Sequence, residues 1–255
     1  MSRSQGSMRA CWTVTVMTAL VALICRSTLS VQDNSLKQQV TAIRETAETN
    51  KLALFEYTWE EQETMSVNDK VQEQKLFQVE FSRDGKLERT PLGLPEANLS
   101  ASKENRGMGE WLSQKKKHAL QAHSQEVKEL VQAYTEADTD LLRLAYERGD
   151  VSSEPSRPGI SGARLVIHHY VKPGDSLTLV FDPSNSELQS LEATSYLTST
   201  KDPVVITALF SKLDHGPNHI DQIIAVATKK HLSLSIRNLA YQRASSSVLR
   251  DSLAS

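Results

Sequence analysis

Two stretches decide the fold class: Pro203–Leu213, PVVITALFSKL, and Leu232–Gln242, LSLSIRNLAYQ. In the second, Leu232, Leu234 and Ile236 alternate with Ser233, Ser235 and Arg237, the two-residue period of a strand with one buried and one wetted face. In the first, Val204 to Phe210 is apolar on both faces, as in a central strand covered twice. Working outward, strand patterns fill Ala163–Val171, Ser176–Asp182, Glu187–Leu197 and Asp221–Lys229. The joints Lys172-Pro173-Gly174-Asp175, Asp182-Pro183-Ser184-Asn185 and Lys201-Asp202-Pro203 have turn chemistry, so consecutive strands are expected as antiparallel neighbours in a meander.

The N-terminal half supplies the cover. From Ser35, apolar residues recur at Leu36, Val40, Ile43, Ala47 and Leu52, close to the period of an amphipathic helix. Near Phe55 the period switches to two: Phe55, Tyr57 and Trp59 alternate with Glu56, Thr58 and Glu60, continuing through Met65 and Val67. Asn68-Asp69 turns the chain into Val71–Phe81, and Asp84-Gly85 reads as a type I′ hairpin before a short strand Lys86–Thr90 that Pro91 stops. Pro91 to Gly109 reads as a loop, and Trp111 opens a helical region with a stripe of Leu120, Val127, Leu130, Tyr134, Leu141 and Leu144. Asp138-Thr139-Asp140 can restart a second helix there, Gly149 ends it, and Val151 to Gly162 reads as a linker rich in Ser, Pro and Gly. The expected class is α+β: a broad, curved, largely antiparallel sheet with helices against one face.

Composition agrees with a globular chain. Its 255 residues are 24% charged and 39% hydrophobic, and the formal net charge of −2 supplies no basic field for nucleic acid. Residues 1–30 read as a cleavable signal peptide: Arg3 and Arg9 precede an apolar run of 16 residues, Ala10 to Cys25, and small residues lead to a cut after Ser30. A retained anchor is the alternative, but the run is shorter than the roughly 20 residues of a membrane span. Cleavage would remove Arg3, Arg9 and Arg26 and no acid, leaving 26 of the 29 basic residues against 31 acidic ones, a net of −5. It would also remove Cys11 and Cys25, the only two cysteines, so the mature protein is expected without disulfides, thiolate nucleophiles or Cys-ligated metal. A periplasmic or extracellular location follows, with no membrane span after cleavage and one domain over residues 31–255.

No arrangement of reactive side chains reads as catalytic or metal-binding. His215 and His219 have i, i+4 spacing, but Gly216 and Pro217 forbid the helix that would align them. His168 and His169 are adjacent on an expected strand and point to opposite faces, and His118 and His123 are badly spaced for a shared metal. Ser100–Lys103 and Ser113–Lys116 match a Ser-x-x-Lys spacing without its companion motifs. Gly159–Gly162 misses the nucleophile elbow by one residue, and no phosphate-binding glycine loop is present. Glu61 and Glu63 continue one face of a strand, where solvent exposure is expected, and Lys115–Lys117 reads as a solvated helix start. Asn98-Leu99-Ser100 fits a glycosylation sequon. The aromatics Tyr57, Trp59, Phe77, Phe81, Phe181 and Phe210 all fall on expected strands. They read either as core or as the lining of a cavity between sheet and helices.

The order of elements, with Leu179-Val180-Phe181-Asp182-Pro183, Leu188-Gln189-Ser190-Leu191-Glu192, the turn from Tyr196 to Val204 and the late Gly216-Pro217 loop, resembles the LolA/LppX-like half-barrel superfamily of bacterial periplasmic proteins. Within it the chain is similar to exported bacterial proteins without assigned function, and the helical segment Trp111–Gly149 is an insert relative to the characterised carriers. The resemblance implies a lipid or lipoprotein carrier fold. It does not transfer a function by itself. The expectation is therefore an exported, non-catalytic protein without cofactor, metal or nucleic-acid partner, binding a lipid or other apolar ligand through the six aromatics. The alternatives are an envelope module that binds a protein partner or serves a structural role, and a hydrolase using His169 or His215. Oligomeric state is not legible in the sequence.

Overall fold

The structure is a computed structural model that describes residues 34–82, 84–93, 108–136, 139–154 and 162–244. Residues 1–30, read from the sequence as a signal peptide, the sequon at Asn98 and Ser100–Lys103 lie outside the described residues. The chain falls into two compact units, residues 1–42 and 43–255. What is described of the first, residues 34–42, is helical and begins helix α1 (34–54); the second contains the whole sheet.

Ten strands form one open antiparallel sheet: β1 (Tyr57–Val67), β2 (Lys70–Phe81), β3 (Leu87–Leu92), β4 (Val151–Glu154), β5 (Ala163–His168), β6 (Ser176–Phe181), β7 (Leu188–Tyr196), β8 (Pro203–Lys212), β9 (Asn218–Ala227) and β10 (Leu232–Arg243). Their spatial order is β3-β2-β1-β10-β9-β8-β7-β6-β5-β4. Each half is a meander, and the two join where β1 pairs antiparallel with β10. Helices α2 (Met108–Thr135) and α3 (Thr139–Arg148) fill the connection between β3 and β4. The result is the expected α+β class with a curved, unclosed sheet.

The alternation read in the sequence builds the core. A single rung runs Val151, Ile167, Leu177, Ala193, Ile206, Ala225, Leu234 and Met65 straight across eight strands. Every one of these residues is buried. The next rung runs Leu165, Leu179, Leu191, Ala208, Ile223 and Ile236, and ends on Glu63 of β1. Helix α2 packs on β8, β9 and β10 and buries Val127, Leu130, Val131 and Tyr134. The alanines in both rungs leave room for the helix to approach the strands closely.

Several local expectations change. Asn68 and Asp69 have φ of 49° and 61°, so this pair forms the two-residue turn with both central residues left-handed that type I′ requires. At Asp84-Gly85 only Gly85 is left-handed, at 76°, and Ser82 N–H donates to Lys86 O across a longer loop. Pro91 lies inside β3, which is tolerable because β3 is an edge strand with one side unpaired. Val151–Glu154 is the edge strand β4 instead of linker, its Val151 completing the rung. The second face of β8 is not covered by any described element: Val205 and Leu209 remain 38% and 44% exposed. Gly149 ends α3 as expected, with φ of 78°, and Asp150 N–H returns to Ala145 O and Gly149 N–H to Tyr146 O in a Schellman cap.

A buried carboxylate ties the end of α2 to the sheet. Asp175 accepts hydrogen bonds from the backbone N–H groups of Tyr170 (2.7 Å), Val171 (3.0 Å) and Lys172 (2.6 Å). The Tyr134 hydroxyl of α2 also donates to it and lies 2.9 Å from Ser195 Oγ of β7. Burial and the adjoining Asp175 carboxylate push the Tyr134 phenol upward, which keeps it protonated as the donor. Removing the acceptor leaves four donors without their partner, so Asp175→Ala is expected to cost about 3 kcal/mol, read as a lowered midpoint in urea unfolding.

Candidate functional site

The chemistry of the helix-bearing face is concentrated at its β1 end. Along β1, Tyr57, Trp59, Glu61 and Met65 are buried, and Glu63 lies among them on the same face. The carboxylates expected in solvent therefore point inward. The reason is register: β1 has a strict two-residue period, so facing Trp59 and Met65 inward carries Glu61 and Glu63 with them. Both carboxylates have a cation. Arg89 of β3 reaches Glu61 with Nε at 2.9 Å and Nη2 at 3.4 Å, and Lys128 of α2 pairs with Glu63. An inward carboxylate without such a partner would be strongly destabilising.

A bulge shapes the aromatic part. Between Thr58 and Glu60 the β1–β10 register slips, so Ala240 and Tyr241 together oppose Trp59. Ala240 takes a φ of 51°, and the Tyr241 ring stacks on the Trp59 indole with centroids 5.3 Å apart and planes at 19°. Phe81 lies 5.8 Å from Trp59, and Phe55 lies 4.5 Å from Phe81. On the other side His219 contacts the Tyr241 ring at 4.3 Å. The Gly216-Pro217 loop seats against Tyr57: a Cβ on Gly216 would stand 3.0 Å from the Tyr57 hydroxyl and 2.8 Å from Leu213 Cβ. Arg243 donates from Nε to the same hydroxyl at 3.2 Å.

Of the six aromatics expected to line a cavity, the structure brings Trp59 and Phe81 together. Tyr57 shares their strand face, and Phe77 pairs directly with Glu61. Phe181 is 1% exposed on β6, five strands away within the packed rungs, and Phe210 is half-buried on β8 beside the β8–β9 bulge. The six do not form one lining. Phe55, Tyr241 and His219 were missed. Phe55 stood in the alternating pattern, but Tyr241 joins the group only because the Ala240 bulge turns it.

Among the described residues, Trp59 Nε1, Asn238 Oδ1 and His219 Nδ1 are buried without a well-formed hydrogen bond, although the Pro217 carbonyl lies beside the His219 ring. Asn238 sits opposite Glu61 in the β1–β10 ladder, and its Nδ2 donates to Ile220 O at 2.8 Å. His219 Nε2 lies 3.2 Å from Ser211 Oγ. Burial raises the Tyr241 phenol, assisted by the carboxylates of Asp221 and Glu61.

The other reactive groups are committed elsewhere. His169 lies past the end of β5 with φ of 54°, and its Nδ1 accepts the Gly174 N–H at 2.8 Å in the loop held by Asp175. His215 is exposed in the loop after β8. Among the described residues, no three His, Cys, Asp or Glu side chains gather as a metal would require.

No protein-family model and no curated protein matches the sequence. Solved structures similar to the chain include a DUF1329 family protein from Desulfovibrio piger, with 12% identity and a TM-score of 0.41 over 86% of this chain and 99% of that one. They also include a LolA superfamily protein from Nitrosomonas europaea, with 13% identity and a TM-score of 0.34 over 78% of this chain and 94% of that one.

Burial holds the His219 imidazole below its ordinary value of 6.5, although Asp221 and the Pro217 carbonyl favour the charged ring. The folded protein thus keeps the ring neutral while the unfolded chain protonates first as pH falls. Stability from this site is complete above 6.5 and is lost as pH drops from there through the lower folded-state value. His219→Gln should show a smaller loss of unfolding free energy between pH 7 and pH 5 than the wild type, measured by urea titration at each pH.

Proposed function

We propose that this is an exported, non-catalytic protein that holds a lipid or similar apolar ligand against the aromatic end of its helix-bearing sheet face. One observation carries the reading. Over β4 to β10 the inner rungs are packed, whereas around the buried Trp59 and Val79 the neighbouring Phe77 and Phe81 of β2 are only half-buried and Phe55, just before β1, is 39% exposed. Helix α2 packs on β8 to β10 and reaches β1 through Lys128. Open aromatic surface next to the buried Trp59 is what an apolar chain would cover. Export rests on the pattern of residues 1–30, and among the described residues no helix is long and apolar enough to cross a membrane. Residues 31–255 would then act as one exported domain.

A second reading is favoured by a different surface. Val205, Leu209, Ile224 and Val226 form an exposed apolar group on the opposite face of β8 and β9, the kind of patch a protein partner covers. Under the ligand reading this patch has no part in binding.

Native mass spectrometry of protein purified from its own envelope should show a co-purifying apolar molecule. The double variant Phe77→Ser, Phe81→Ser should lower its occupancy by about tenfold or more, the scale of two lost aromatic contacts. Ile224→Thr should leave occupancy unchanged. A wild-type protein that carries no apolar ligand would contradict the proposal, as would a loss of occupancy in the Ile224 variant alone.

A further inference from the structure

We propose that the outer face of β8 and β9 is the surface on which a second copy of this chain docks, in an isologous dimer whose two-fold axis runs along the strands. The inference goes beyond the ligand reading, which uses the other face of the sheet. It rests on the partner reading of this patch and names the partner. Register fixes what the face displays: Val205 stands against Val226, Thr207 against Ile224, and Leu209 against Gln222. Val205, Leu209, Ile224 and Val226 are exposed, and no described element covers them. On the flanking strands Glu192 of β7 opposes Thr207, and Arg237 of β10 opposes Gln222. The other outward positions of β7 and β10 on these three rungs are serine or threonine.

Charge selects the occupant and its orientation. Glu192 and Arg237 are both exposed, and neither makes an ion pair among the described residues. The apolar strip therefore has one acid on its β7 side and one base on its β10 side. A two-fold axis along the strands lays β7 of one copy over β10 of the other. Glu192 then stands one rung, about 7 Å along the strands, from the partner's Arg237, within reach of that side chain, and the symmetry makes the same pair twice. An axis across the strands would lay β7 over β7 and set like charges against each other. The short serine and threonine side chains let two sheet faces approach to the usual spacing of about 10 Å. Four strands about 5 Å apart and three rungs about 7 Å apart bury on the order of 1,000 Å² over both copies, the scale of a reversible dimer and not an obligate one.

The test is sedimentation equilibrium of the protein purified from its own envelope, between about 1 and 100 μM. The wild type should pass from monomer to dimer with a Kd on the order of 10 μM. Glu192→Arg and Arg237→Glu each turn both cross-dimer pairs repulsive, and each should weaken association about tenfold or more. Both residues are exposed on the outer face, so the fold and the helix-bearing face are left intact. An equimolar mixture of the two variants should dimerise as the wild type does, because each copy then supplies one sign to the other.

A wild type that stays monomeric across the range would overturn the inference. So would single variants that associate as tightly as the wild type, the mark of a dimer built on another surface, or a mixture no tighter than the variants alone. A monomer removes only the second copy and leaves the patch open to a different protein partner. The ligand reading is scored separately: occupancy in native mass spectrometry should be the same in the wild type and in both variants. A dimer without an apolar ligand would support this inference and contradict that reading.

Discussion

The pairing of β1 with β10 is the constraint on which the rest depends. It joins residues 57–67 to 232–243 and so fuses two local meanders into one ten-stranded sheet. Without it, the three-stranded N-terminal ribbon would have Trp59, Glu61 and Met65 facing water, and the C-terminal meander would end in an unpaired β10 edge. Its register sets everything at the candidate site. Met65 against Leu234 continues the apolar rung, Glu63 against Ile236 brings a carboxylate beneath α2, and Glu61 against Asn238 builds the polar boundary. A slip of one residue would turn both glutamates outward and Trp59 with them.

One of the two inward glutamates, Glu63, also helps to hold the helical insert. Lys128 of α2 answers Glu63, while Tyr134, nearly two turns later, donates to Asp175 and contacts Ser195. Val127 just before Lys128, and Leu130 and Val131 between the two, meet strands whose inner residues include Ala208, Ala225 and Ala227. The C-terminal part of the helix is thus fixed by apolar packing and by charge-assisted bonds from Lys128 and Tyr134. On the β1–β3 side Phe77 and Phe81 stay half-buried beside the buried Trp59 and Val79.

Much of this was legible. The period of two in Leu232–Ile236 and Tyr57–Val67, the turn chemistry of the C-terminal half and the glycine after α3 each describe local physics, and each appears where the residues place it. What was not legible depended on distant partners. Glu61 reads as solvent-facing because Arg89 lies 28 residues away, and Glu63 because Lys128 lies 65 residues away. Tyr241 joins Trp59 only through the Ala240 bulge, which no alternation pattern announces. Strand β4 is four residues in a Ser- and Pro-rich stretch, and only Val151 is buried. Phe181 and Phe210 looked equivalent to Trp59 and Phe81 in composition, and separation across the sheet distinguishes them.

The central claim is that the open aromatic end, and not the packed rungs, receives the ligand. Photolabelling with a lipid that carries a diazirine in its acyl chain, followed by peptide mapping, tests it most directly. The account predicts labels within β1, β2 and the end of β10, around Trp59, Phe77, Phe81 and Tyr241. Labels confined to β5, β6 and β7 around Leu165 and Phe181, or to the outer patch at Val205 and Ile224, would contradict it.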